Sequence, residues 1–226
     1  MLPIVTALGA TVVLAASLIV NRAVISSIDD RWNIFVLMGV SVLVGYGPSI
    51  AWCVFASRRY GTGHPLRDFG VRVRWVDLGW GPIIWLSTTL GVGIVVQLIR
   101  VLGVPYRSNL DAGGGGTDRT AIAAFAIAAI VVAPVVEEVI FRGVMLRGLR
   151  SRLAAPLAIL AQGALFGLAH IQPTFGRDNF GLVIALGLVG VGFGIGCYLV
   201  RRIGPTIIAH AMFNTAAVIY LLVERS

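Results

Sequence analysis

The sequence predicts an all-α, polytopic transmembrane bundle of seven to eight helices, and three observations carry that prediction. The 226 residues are 58% hydrophobic and 12% charged, whereas soluble domains are roughly 45–50% apolar and about 25% charged. Mean hydropathy is +0.91, so lipid is the main solvent. Apolar stretches of about 20 residues, the length that crosses a bilayer, recur along the whole chain with the charges gathered between them. Residues 1–226 are thus expected to form a single membrane domain, with N-terminal helices in 1–104 and a second half in 120–223.

The hydropathy pattern places spans at about 3–21, 33–57, 80–103, 120–149, 155–171, 180–200 and 205–223, with an eighth helix if the fourth span is broken. The first follows Met1-Leu2-Pro3, which carries no basic residue, and its apolar run reaches Val20. That is longer than a signal-peptide core, so a retained helix is expected. Arg58, Arg59, Arg67, Arg72 and Arg74 follow the second span; Arg147, Arg150 and Arg152 follow the fourth; Arg201 and Arg202 follow the sixth. Every other connection is basic, as the positive-inside rule requires, which puts the N-terminus in the cytosol.

The alternate connections hold Asp29 and Asp30, then Asp111 and Asp118 around Gly113–Gly116, then Asp178. The glycine run follows no strand and lacks a Lys-Ser/Thr ending, so it reads as a loop and not a phosphate cradle. Arg72-Val73-Arg74-Trp75 reads as a short interfacial segment with Trp75 at headgroup level.

All 18 basic residues are arginine, a hint of a GC-rich genome, and the expected location is a bacterial plasma membrane. The +8 charge does not indicate nucleic acid, because the arginines flank apolar spans instead of forming a basic face interleaved with aromatics. Cys53 and Cys197 each sit inside an apolar stretch without ligand spacing and read as core residues.

Spans that only anchor a protein are free of ionisable groups, since each charge at mid-bilayer costs about 2.5–3.5 kcal/mol on insertion scales. The first three spans nearly obey this, but the last four contain or end on Glu137, Glu138, Arg142, His170 and His210, with Asn214 one turn beyond. Glu138 and Arg142, four apart, share a helix face and can pair. Glu137 points about 100° away and is the natural general base. Pro134 is expected to kink or restart the helix just before the glutamates, which would put them in a first turn near the positive dipole end.

Between Glu137 and His170 lies one turn, centred near Leu153, with about 16 residues on either side. A helical hairpin folded there brings the two to one depth, roughly 24 Å from its tip at 1.5 Å per residue. His210 follows a helix start at Gly204-Pro205 and shares a face with Asn214, as Phe166 does with His170. These groups support hydrolysis of a peptide bond by activated water. Glu137 takes the proton, His170 orients the water or passes the proton to the leaving amine, and His210 and Asn214 donate to the oxyanion.

Glu137-Glu138-x-x-x-Arg142, Phe166-x-x-x-His170 and His210-x-x-x-Asn214 together resemble, in order, the three motifs of the CPBP intramembrane peptidases, the family of CAAX prenyl proteases and Abi proteins. The resemblance covers about residues 120–223. It implies a bundle of about eight helices and a catalytic core in 120–223 sunk below the membrane surface. It also implies Glu137 as base with His170 as partner, His210 and Asn214 as oxyanion hole, and Glu138 with Arg142 supporting them; Phe166 is read as a wall of the substrate site. The implied partners are the lipid bilayer and a membrane-associated or lipidated protein or peptide substrate.

Plainer readings stand beside these. A buried Glu138–Arg142 pair can serve packing alone, and either histidine can be satisfied by a carbonyl. His64, in a Gly-His-Pro sequence on a basic connection, reads as solvated. Gly187, Gly190, Gly192, Gly194 and Gly196 read as a close-packing face, with a substrate groove as the alternative. Two histidines and a glutamate could hold one zinc ion; no cofactor is the expectation, with zinc as the alternative. The competing functions are a non-catalytic membrane partner or bacteriocin-immunity-type protein, and a small transporter with a proton relay. The absence of an inverted repeat argues against the last.

Overall fold

The computed structural model describes residues 2–28, 33–108 and 119–224. The expectations for Asp29, Asp30, Asp111, Asp118 and Gly113–Gly116 lie outside the described residues. Every regular element described is helical: α1 (Ile4–Ser27), α2 (Ile34–Tyr60), α3 (Pro65–Asp68), α4 (Asp77–Val101), a long composite helix from Arg119 to Leu149, α8 (Ala155–Ala169), α9 (Asn179–Val200) and α10 (Gly204–Glu224). Among the described residues, six helices are long and apolar enough to cross a membrane. The chain is an integral membrane protein built as a polytopic helical bundle.

The composite helix does not break at Pro134. It runs as α5 (Arg119–Ile127), a π-helical turn (Ala128–Val132), α6 (Ala133–Glu138), a second π-helical turn (Val139–Met145) and α7 (Leu146–Leu149). Proline has no N–H to give to the preceding turn, and the ladder absorbs this by widening: the Ala133 N–H reaches back five residues to Ala128 O. The glutamates accordingly end α6 instead of opening it, so the expected proximity to a helix N-terminus is not realised.

The fifth apolar helix also differs from expectation. α8 ends at Ala169, with His170 already off helical geometry at φ −98°, ψ 8°. Its 15 residues rise about 22 Å, short of a hydrocarbon core of about 30 Å. The chain then turns within the protein. A 3-10 helix (Pro173–Asp178) follows, and the Asn179 side chain brackets this turn by accepting from Gln172 N at 2.8 Å and donating to Gln172 O at 2.8 Å. These bonds satisfy polar backbone with protein groups, as non-helical chain at membrane depth requires.

α9 is packed on two sides through its small residues. A methyl group on Gly190 would lie 2.9 Å from Gly163 Cα and Phe166 Cβ of α8, and one on Gly196 would lie 2.7 Å from Ile84 of α4. Close approach of this kind is the main way helices associate in lipid. α1 and α2 pack together, with Trp52 Nε1 donating to Thr6 O at 3.0 Å. α4 begins three residues earlier than expected because Asp77 caps the turn before it, accepting from Arg74 N at 2.8 Å and pairing with Arg202 at the start of α10. Trp75 is 88% exposed and His64 is exposed, as an interfacial segment and a solvated loop require.

Candidate active site

The polar side chains meet where α2, α6, the end of α8 and the first turns of α10 converge. Glu137 and Glu138 leave α6 on different faces. Glu138 points into the packed interior and is completely buried, as is Arg142. Arg142 Nη1 donates to Glu138 Oε1 at 2.7 Å, and Nη2 donates to Gly190 O at 3.1 Å. Glu137, 7% exposed, faces a cavity.

Three groups meet Glu137. The Tyr46 hydroxyl donates to Oε1 at 2.5 Å, while the Nε2 atoms of His170 and His210 lie 3.9 and 3.8 Å from Oε2. Oε2 itself is buried without a hydrogen-bond partner. The other nitrogen of each imidazole is committed: His170 Nδ1 lies 2.7 Å from Phe166 O, and His210 Nδ1 lies 3.1 Å from Glu138 Oε1. A backbone carbonyl can only accept, so His170 carries its proton on Nδ1, and the ionised Glu138 favours the same tautomer of His210. Two imidazole lone pairs and a carboxylate oxygen then converge on one point. Such a set calls for a proton donor between its members, and a water molecule or an imidazolium N–H meets that need.

Asn214 stands apart from this centre. Its amide donates to Ala129 O at 2.6 Å, the carbonyl that a continued π ladder would have paired with the N–H that Pro134 lacks. Proline thus explains both the widened turn and the seat of the Asn214 side chain. Asn214 still borders the cavity and keeps a second amide hydrogen. Phe166 also borders it, but at 2% exposure most of its surface is spent on the site itself. Its ring lies 4.7 Å from that of His170 and 5.9 Å from that of His210, and the Arg142 guanidinium lies 4.8 Å from its centroid.

Two contributors were not singled out by sequence reasoning. Tyr46 reads as an ordinary aromatic in an apolar span, although a phenol in lipid needs a partner and the surrounding Gly45, Gly47 and Pro48 mark an unusual stretch. Gln162, buried in the middle of α8, donates to Gly190 O at 2.7 Å and so shares that carbonyl with Arg142. A lone amide in a 15-residue apolar helix was the available signal.

The cavity has a volume of about 540 Å³, inside the ~300–1,000 Å³ range of small-molecule sites. Its walls are mostly apolar, including Leu14, Leu18, Val92, Phe125, Leu186 and Phe213. Asn21, Arg22, Tyr106 and Gln172 border it at the helix ends opposite the 150–154 turn. Arg22 donates to Ile171 O and so ties α1 to the residue after His170. Among the described residues no group of three His, Cys, Asp or Glu side chains has metal-ligand spacing. A tetrahedral zinc ion with bonds of ~2.0–2.2 Å holds its ligand atoms about 3.4 Å apart, closer than the 3.8 and 3.9 Å separations here.

Residues 119–216 match the family model Rce1-like, described as type II CAAX prenyl endopeptidase Rce1-like. No curated protein and no solved structure matches the chain. The matched segment spans all three polar motifs, from Glu137 through His170 to Asn214. Over residues 119–216, a little under half of its length, the chain is similar to the type II CAAX prenyl endopeptidase Rce1-like family.

Proposed function

We propose that the protein is an intramembrane endopeptidase that hydrolyses a peptide bond of a membrane-associated or lipidated protein, using a water molecule activated by Glu137. The observation that carries this reading is the convergence of Glu137 Oε2 with two imidazole Nε2 atoms at 3.8 and 3.9 Å, beside a cavity of about 540 Å³. In this reading Tyr46 holds one carboxylate oxygen, leaving Oε2 to accept the proton of a water seated among the three groups. His170, locked on Phe166 O through Nδ1, presents Nε2 to shuttle that proton to the leaving amine.

His210, with Nδ1 remaining on Glu138, donates from Nε2 to the oxyanion when both ring nitrogens carry protons. Asn214 supplies its second amide hydrogen to the same oxygen. Arg142 keeps Glu138 ionised and oriented. The reacting groups lie in 120–223, and helices of 1–104 add Tyr46 and part of the cavity wall. The apolar lining suits a lipid-modified or strongly apolar peptide. Chemistry without a resident metal is part of the proposal.

The arginine-rich ends, Arg58 to Arg74, Arg147 to Arg152 and Arg201–Arg202, set the cytosolic side. The cavity mouth then faces the opposite leaflet of the host membrane, for which a bacterial plasma membrane is the proposed setting. The test compares wild type with Glu137→Gln on a library of lipidated and unmodified transmembrane peptides, with and without chelator, reading new termini by mass spectrometry. Cleavage by wild type alone, unaffected by chelator, is expected. Equal cleavage by both proteins would refute the glutamate's role, and loss on chelation would refute the metal-free chemistry. If neither protein cleaves and a membrane protein co-purifies equally with both, the non-catalytic partner reading takes its place.

A further inference from the structure

A second cavity, of about 400 Å³, lies on the other side of the Glu138–Arg142 pair, toward the arginine-rich end of the bundle. It is lined by Arg142, Arg147, Arg150 and Arg201 together with Leu146, Cys197, Tyr198 and Leu199, so it gathers four arginines and no acidic residue. The role assigned above to Arg142 uses Nη1 and Nη2 only. Its Nε is buried without a hydrogen-bond partner, and so is the Nε of Arg147. Buried guanidinium N–H groups left unmet cost about 1–3 kcal/mol each or more, so this arrangement calls for an acceptor.

The other demands on these arginines do not supply one. At the nearby α9–α10 turn it is Arg202 that pairs with Asp77 and reaches Val200 O. Arg150 lies over the Tyr198 ring at 4.6 Å, which leaves the edge of its guanidinium for an anion. Arg201 holds a left-handed backbone, φ 60°, a conformation rare for residues other than glycine, asparagine and aspartate. Arg142 at the floor is completely buried and Arg147 is half-buried, while Arg150 and Arg201 are exposed at the rim, so the pocket runs from the interior to the surface.

We propose that this pocket binds a phosphate-bearing anion, supplied in the membrane by the headgroup of an anionic phospholipid of the arginine-rich leaflet. The forked N–H groups of arginine match phosphate oxygens in pairs, and basic pockets between helices on the cytoplasmic side are where such headgroups seat. Leu146, Leu199 and Tyr198 give the glycerol and upper acyl region an apolar border. An anion there shares Arg142 with Glu138, and Glu138 in turn meets His210 on the wall of the first cavity. Binding itself does not depend on the peptidase reading.

The experiment follows thermal unfolding of the full chain in neutral detergent during titration with phosphatidylglycerol, phosphatidylcholine or inorganic phosphate, with native mass spectrometry of retained lipid. Phosphatidylglycerol is expected to stabilise and to be retained, while phosphatidylcholine does neither. Arg150→Gln and Arg147→Gln should each weaken the apparent affinity roughly five-fold, and Arg58→Gln, on an exposed arginine elsewhere, should leave it unchanged. If inorganic phosphate alone stabilises and competes with the lipid, the site stands with a soluble anion as its source. The proposal is overturned if neither probe stabilises, or if Arg58→Gln weakens binding as much as Arg150→Gln and Arg147→Gln.

Discussion

The Glu138–Arg142 pair can be taken apart one charge at a time, and the structure sets the size of each step. Both side chains are completely buried, 2.7 Å apart. Arg142→Met leaves a carboxylate in the interior with no guanidinium beside it and His210 Nδ1 at 3.1 Å. Removing one member of a buried pair costs about 3–5 kcal/mol, so this variant should be strongly destabilised. Glu138→Gln keeps an acceptor for Arg142 and His210 but strands the arginine charge, and should also be destabilising. In the double variant no charge is stranded, the amide oxygen introduced by Glu138→Gln still accepts from His210, and Gln162 still serves Gly190 O. Its loss should fall below the sum of the single losses by about 1–3 kcal/mol. Unfolding in mixed micelles of increasing SDS gives all four corners of the cycle. Additive losses, with coupling under about 0.5 kcal/mol, would refute the claim that these two groups neutralise each other.

Three further outcomes follow from particular contacts. Tyr46→Phe removes a hydrogen bond to a charged acceptor, worth about 1.5–3 kcal/mol, and should lower kcat about 10- to 100-fold with KM little changed; an unchanged kcat in steady-state cleavage would remove Tyr46 from the account. Gly190→Ala puts a methyl 2.9 Å from Gly163 Cα and Phe166 Cβ, so the ~1–3 kcal/mol cost of overpacking should outweigh the ~1 kcal/mol gain in helix propensity. Gly39→Ala, with nothing within 4 Å of the added carbon, should stabilise the same protein in the same SDS titration. Burial raises the Asp68 carboxyl, but hydrogen bonds from Ser57 and Thr62 outweigh it and hold the group below its ordinary value. Its stabilisation is therefore present above the unfolded value of about 3.9 and is lost as pH falls through the lower folded one, so Asp68→Asn should flatten that acid-side loss in unfolding measured from about pH 5 downward.

The bundle was legible because lipid enforces a simple rule: a span must be long and apolar, and a charge inside one needs a reason. That rule located Glu137, Glu138, Arg142, His170 and His210, and hairpin arithmetic foresaw that Glu137 and His170 would lie close together. Periodicity could not reveal the π-helical turns around Pro134, because widening by one residue per turn leaves no compositional trace. With those turns went the seat of Asn214, which depends on a carbonyl that proline leaves unpaired. Tyr46 escaped notice because a phenol among apolar residues differs from phenylalanine by one oxygen. The early end of α8 was also hidden, since Ile171 continues the apolar run while the backbone has already turned.

The central claim is that Glu137 and His170 act on one water as a unit, and the kinetics of Glu137→Ala, His170→Ala and the double variant on a single cleaved peptide test it most directly. Residues that form one catalytic unit lose their contribution once, so each single variant should fall by ~10²–10⁴ in kcat and the double variant should be no slower than the slower single. Multiplying losses, or a single variant with wild-type kcat, would contradict the convergence on which the account rests.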